Sequence, residues 1–198
     1  MRVFARFDNL NLQVPVRLGE FVGEGADGEI FSLLEDNSKV IKLSILYGNS
    51  EVEKEYRKIH KSLRYLTHTH TEPYVRVYDH SFLGHFSEKI VGGARDFILF
   101  YTIMEKLEKI SEDERKIFHS ILSHEDKRII KNFSTAQIED MLHGMSLGLE
   151  FEHDKVILFC EQIKRSSLKH LDIHVRNIMK SSDGNFKLID LDRVELEN

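Results

Sequence analysis

"KHLDIHVRNIMKSSDGNFKLIDLDR", Lys169 to Arg193, decides how the rest of the chain is read. It places Asp172, Asn177 and Asp190 in one short segment. Two β-like runs within it, "NIMK" and "FKLID", are joined by the turn "SSDGN". A hairpin brings its ends together, so Asn177 and Asp190 are expected side by side. Both offer oxygen, the donor that Mg²⁺ accepts together with substrate phosphates. Asp172 is the acid that would orient a hydroxyl and accept its proton. Taken alone, such acids can simply cap turns. What stands upstream separates the two readings.

Upstream lies "VGEGADGEI", with Gly23, Gly25 and Gly28 in a G-x-G-x-x-G spacing. Glycines let a backbone turn tightly and approach a phosphate without side-chain interference. A dinucleotide fold would need a helix straight after them. Here "EIFSLLEDNS" follows, β-like and ending in a turn, which favours a glycine-rich hairpin lying over nucleotide phosphates. "KVIKLSIL" then carries Lys42, whose ammonium would reach those phosphates from a neighbouring strand and would need a carboxylate to hold it. The next helix, capped by Asn49 or Ser50, has an apolar stripe of Val52, Tyr56, Ile59, Leu63 and Leu66. Glu55, on the edge of that stripe, is the expected partner of Lys42, with Glu53 in reserve. Taken singly, a strand lysine or a helix glutamate is usually a solvated charge.

Two more β-like runs, "YVRVYDHSF" and "DFILFYTIME", complete a β-rich first part. The character changes near Ile110. Ser111 and Glu114, then Ser134 and Gln137, have capping-box spacing at the starts of "SEDERKIFHSIL" and "STAQIEDMLHGMSLGLEF". "DKVILFCEQIKR" reads as a further, more buried helix. The expected organisation is α+β: residues 1–105 as a β-rich part with one helix, and 106–198 as a mainly helical part carrying the loop and hairpin of the opening stretch.

The 198 residues are 41% hydrophobic and 31% charged, with a formal net charge of −5, an ordinary globular balance. Mixed charge of this kind argues against broad electrostatic binding to nucleic acid. No run approaches the ~20 apolar residues of a membrane span. The first residues lack the pattern of a signal peptide. A single cysteine, Cys160, excludes an intrachain disulfide, fits a reducing compartment and reads as a core residue. A cytoplasmic location is expected, with signal-independent delivery into a host cell as its variant.

Together these motifs resemble the protein kinase-like superfamily, from about Leu18 to Arg193. "GEGADGEI" is similar to its glycine-rich loop, with Ile30 at the valine position, and "KVIK" to its lysine strand. "YTIMEKL" is similar to its hinge, with Met104 as gatekeeper and Glu105 to Leu107 as the adenine-binding strip. "HLDIHVRN" is similar to its catalytic loop, and "DLD" to its metal-binding triplet. The resemblance implies a bilobal kinase-like fold and phosphoryl transfer from Mg²⁺–ATP. It makes Asp172 the catalytic aspartate, Asn177 and Asp190 the metal ligands, and Lys42, fixed by Glu55, the phosphate-orienting lysine. Val22, Ile30, Val40, Met104, Met179 and Ile189 would sandwich the adenine, beside Glu105 and Leu107.

The sequence departs from the family in four places. His174 stands two residues after Asp172, where protein kinases usually carry lysine. "DLD" replaces D-F-G. The chain ends where an activation loop would begin, so loop phosphorylation is not the expected switch. The stretch Ile110 to Lys169 is longer than its usual counterpart. Such a minimal kinase resembles compact bacterial effector kinases and phage-borne kinase-like proteins. The first expectation is a serine/threonine kinase acting on a protein, which would be a host protein for an effector. A small-molecule kinase of aminoglycoside or sugar type, favoured by His174 and "IDLDR", comes second. A non-catalytic nucleotide-binding module comes third, since Lys42, Asp172 and Asp190 are all retained.

Three features are given bland readings. "THTHTE", with His68 and His70, is taken as a surface loop, with no spacing to close a metal site among His60, His80 and His85. The charged stretch 87–96 is taken as a solvated turn. Ser50 to Lys54 does not fit a serine-acylation motif.

Overall fold

The computed structural model describes residues 14–25, 27–48, 51–90, 93–122, 134–145 and 149–196. The fold is mixed α+β. It has a five-stranded antiparallel sheet, two smaller sheets and, among the described residues, four α-helices. The chain divides into two compact units. One holds 1–69 and 76–106; the other holds 70–75 and 107–198.

The first unit is built on strands β1 (Leu18–Gly25), β2 (Gly28–Leu33), β3 (Lys39–Gly48), β4 (Val77–Ile90) and β5 (Gly93–Glu105), in the order β1-β2-β3-β5-β4. Period-two alternation sends Ile41, Leu43, Tyr101 and Ile103 to one face, where Val14, Val16 and Phe31 pack against them. Helix α1 (Val52–His68) lies on the sheet through the expected stripe, with Ser62 also buried. Tyr56 is its anchor, 5.5 Å ring to ring from both Phe82 and Phe100. Asn49 and Ser50 lie outside the described residues; Glu51 is the N-cap and makes no side-chain capping bond.

Two expectations change here. Residues 87–90 and 93–96 are strand, not turn: β4 runs to Ile90 and β5 starts at Gly93, with Ser87 opposite Asp96 and Glu88 opposite Arg95. Opposite charges facing each other across a ribbon stabilise it, so charge did not mean loop. Thr67 and His68 of "THTHTE" belong to the last turn of α1.

Glu29 is a departure from ordinary burial. Its side chain follows the alternation of Phe31 and Leu33 and is only 1% exposed, yet neither carboxylate oxygen has a hydrogen-bond partner. A buried carboxylate without partners is costly.

The second unit packs α2 (Glu112–Leu122), α3 (Thr135–Met145) and α4 (His153–Arg165) with two small sheets. One sheet is ordered β6 (Glu108–Lys109), β8 (Ile178–Lys180), β9 (Phe186–Leu188). The other pairs β7 (Leu168–His170) with β10 (Val194–Leu196). Both expected capping boxes form. The Ser111 N–H donates to Glu114 at 2.8 Å, and the Glu114 N–H donates to Ser111 Oγ at 3.1 Å. Ser134 and Gln137 repeat the exchange.

The core of this unit is a trio of edge-to-face rings. Phe118 of α2 lies 4.8 Å from Phe186 of β9 and 5.4 Å from Phe159 of α4. Burying each ring stabilises by about 1.5–3 kcal/mol. Cys160 is fully buried and burial pushes its thiol up to about 12, as expected of a core residue. Gly184, at φ 81°, makes the "SSDGN" turn between β8 and β9.

The segment 70–75 belongs to this second unit. The Leu188 N–H donates to Pro73 O at 2.8 Å, and the Val75 N–H donates to Leu188 O at 3.0 Å. The Lys187 ammonium, almost fully buried, donates to both carboxylate oxygens of Glu72.

Candidate functional site

The second unit brings together Asp172, Asn177 and the residue before Asp190. β7 and β10 pair with His170 opposite Val194, and the Leu171 N–H donates to Arg193 O at 2.8 Å. The loop that follows is therefore anchored at its root. His170 then ties that loop to the hairpin. Its buried Nδ1 accepts the Asp172 N–H at 3.1 Å, so that nitrogen carries no proton. The proton sits on Nε2, which donates to Ile189 O at 2.9 Å. Burial holds the ring below its ordinary 6.5, against the Ile189 bond and the charges of Asp190 and Asp172, which favour protonation. Tyr74 stacks on it, 6.3 Å away and 6° from parallel, and donates its own hydroxyl proton to Leu168 O.

Asn177 is held as tightly. Its Nδ2 donates to Asp172 O at 2.9 Å, its N–H donates to His174 O, and its own carbonyl accepts the Ile189 N–H at 2.9 Å. With Nδ2 committed, Oδ1 is the side-chain atom left to offer. Asp190 adopts φ 62°, ψ 56°, the one positive-φ residue other than glycine among the described residues. Aspartate tolerates this left-handed region better than most, but the surroundings must enforce it. Bonds to Ile189 on one side, and the Arg193 N–H donating to Asp190 O at 3.3 Å on the other, do so.

The donor chemistry is two oxygens, Asn177 Oδ1 and the Asp190 carboxylate. No group of three or more His, Cys, Asp or Glu side chains among the described residues is arranged to hold a metal. A pair of hard oxygens suits Mg²⁺, which keeps much of its coordination for water and phosphate, and does not suit zinc. Leu107, Met179 and Ile189, the remaining expected cofactor contacts of this unit, are half-buried. Met179 lies opposite Lys109 and Lys187 in register.

In the first unit, Ile30, Lys42 and Thr102 are consecutive cross-strand neighbours on one face of the sheet. Val40 and Met104 are neighbours in the adjoining row, both buried. Glu105 ends β5, its N–H donating to Arg76 O. Val22 is exposed on β1. Gly25 and Gly28 face each other where β1 meets β2. The glycines differ. A Cβ on Gly23 or Gly25 would meet nothing within 4 Å, whereas one on Gly28 would lie 2.3 Å from Leu43 O. Gly28 is thus demanded by packing of β2 on β3. Glu55 is exposed and makes no ion pair among the described residues. Glu53 is engaged by Arg57 at 3.7 Å and by His85 at 3.3 Å.

Sequence reasoning missed the structural work of His170 and His174. The signal was present in the H-x-D and H-x-R spacings, but its meaning depends on which ring nitrogen accepts.

The sequence matches no protein-family model and no curated protein. Among solved structures, the ROP18 kinase domain in complex with AMP-PNP and sucrose is similar at 15% identity and a TM-score of 0.49. The match covers 90% of this chain and 52% of that one, so the chain spans about half the length of that structure. A likeness at this level carries no inference about activity.

Proposed function

We propose that the chain is an ATP-dependent phosphotransferase of protein kinase-like type, transferring the γ-phosphoryl group to a serine or threonine hydroxyl of a protein. The observation that carries the reading is the bracing of one loop by His170 and Asn177. Asp172 is fixed at both its N–H and its carbonyl, and Asp190 follows directly on Ile189, which both bracing residues hold. An acid that positions a hydroxyl and an oxygen pair for a cation are the parts phosphoryl transfer needs.

In this reading Asp172 orients the acceptor hydroxyl and takes its proton, while Asn177 Oδ1 and Asp190 hold Mg²⁺. Bound Mg²⁺ supplies neutralisation of phosphate charge. Lys42 orients the phosphates. Glu55 would be its carboxylate partner, in preference to Glu53, which Arg57 and His85 already engage. Gly23 and Gly25 keep the hairpin open to phosphate, and Gly28 sets its root. Val22, Ile30, Val40, Met104, Glu105, Leu107, Met179 and Ile189 contact the adenine. A small-molecule acceptor is the second reading, favoured by the approach of His174 to Asp172 at 3.5 Å.

The test is incubation of the purified chain with labelled ATP, Mg²⁺ and a lysate. Label in protein bands, lost in Asp172→Asn and Asp190→Ala, supports a protein kinase. Turnover only with an added aminoglycoside or sugar moves the assignment to the second reading. A thermal shift with ATP and no transfer to any acceptor overturns both.

A further inference from the structure

Two histidines in the same loop make the same local bond. His170 Nδ1 accepts the N–H of Asp172, and His174 Nδ1 accepts the N–H of Arg176, each two residues on and each at 3.1 Å. A nitrogen that accepts an N–H carries no proton of its own, so each ring is held with its proton on Nε2. In His170 that proton goes to Ile189 O. In His174 Nε2 lies 3.5 Å from Asp172 Oδ2, with both side chains a little over a third exposed.

We propose that His174 is a positioning residue for Asp172: a neutral imidazole whose Nε2–H, set by the Arg176 amide, holds the rotamer of the Asp172 carboxylate. Asp172 has its main chain fixed by His170 and Asn177, and neither of those two bonds acts on its side-chain torsions. An N–H this near one carboxylate oxygen favours the rotamers that keep the two together. An ammonium at this place would bring a full charge to the carboxylate; the imidazole brings a dipole with a set direction. The inference rests on the reading of Asp172 as the hydroxyl-orienting acid, and its structural half stands apart from that reading.

The two halves are tested separately on the full chain. Long-range ¹H–¹⁵N correlation spectra of ¹⁵N-histidine-labelled protein at pH 7.5 are expected to show His174 as the Nε2–H tautomer, with a resonance that moves in Asp172→Asn. An Nδ1–H tautomer, or no response to Asp172→Asn, overturns the contact. These spectra decide the contact even if wild-type protein transfers phosphate to nothing, a result that would sink the functional reading instead.

For the catalytic half, kcat and KM for ATP are compared across three variants. Asparagine can accept the Arg176 N–H and keep the turn but cannot reach Asp172; glutamine reaches as far as Nε2. His174→Leu and His174→Asn are expected to lower kcat by about 10- to 100-fold at unchanged KM. His174→Gln is expected to restore most of the loss. Rescue by asparagine, equal to that by glutamine, would make His174 a turn-former only and overturn the proposal.

Discussion

The Asn177 side chain donates to the main-chain oxygen of Asp172 at 2.9 Å, so the two residues move as one. Asn177→Asp keeps an oxygen ligand but sets a carboxylate against that carbonyl. The expected loss is about 1–3 kcal/mol from an unsatisfied buried acceptor and repulsion. In a domain this size each kcal/mol lowers Tm by about 2–4 °C. Calorimetry checks it, and an unchanged Tm would show that the tether does not matter.

The three glycines of the hairpin are expected to separate under substitution. Gly28→Ala drives a methyl group into Leu43 O and is expected to cost about 1–3 kcal/mol in stability. Gly23→Ala and Gly25→Ala enter open space and should leave Tm within a degree or two. If the hairpin covers phosphates, these two should nonetheless raise KM for ATP. Paired melting curves and kinetics on the three variants resolve the roles.

Glu29 gives a stabilising prediction. Glu29→Met removes a partnerless buried carboxylate while keeping its length. A gain of about 1–3 kcal/mol is expected, read as a higher denaturant midpoint. A lower midpoint would mean that the carboxylate has a favourable role in the fold.

Glu114 makes stability depend on pH in a definite direction. Burial pushes its carboxyl up, but the Lys180 hydrogen bond at 2.6 Å, with the Ser111 bonds, outweighs burial and leaves it below its ordinary 4.5. The folded state therefore binds its proton less readily than the unfolded chain. The contribution is complete above about pH 4.5 and is lost as pH falls through the folded value. The same bond raises Lys180 above 10.5, so its share is complete below that pH and fades as pH rises through the folded value. Melting curves between pH 3 and 7 should converge for wild type and Glu114→Gln at the acid end. Parallel curves would refute the assignment.

Much of this architecture was legible because its signals are local. The Ser111–Glu114 box acts over three residues, the stripe of α1 over four, and "SSDGN" needs only Gly184 at positive φ. What stayed hidden depends on distant partners or on protonation. Residues 87–90 and 93–96 looked like loop because they are charged, yet they lie in paired strands with Glu88 opposite Arg95. Glu29 was hidden differently: its spacing from Phe31 and Leu33 assigns it inward, a placement that composition discourages. In the site, the order of Asp172, Asn177 and Asp190 could be read directly. The left-handed turn at Asp190 and the tautomers of His170 and His174 could not, because main-chain partners such as Ile189 O and the Arg176 N–H fix them.

The short strap at 70–75 has a consequence for how the protein comes into being. Glu72 and its partner Lys187 are 115 residues apart in the chain, and Tyr74, almost wholly enclosed in the finished unit, donates to Leu168. On the ribosome these early residues emerge long before the strand that will shelter them. Contacts over such separations form slowly. Tyr74 would meanwhile stay uncovered, leaving the nascent protein open to chaperones and to its own aggregation until the last tenth of these residues is translated.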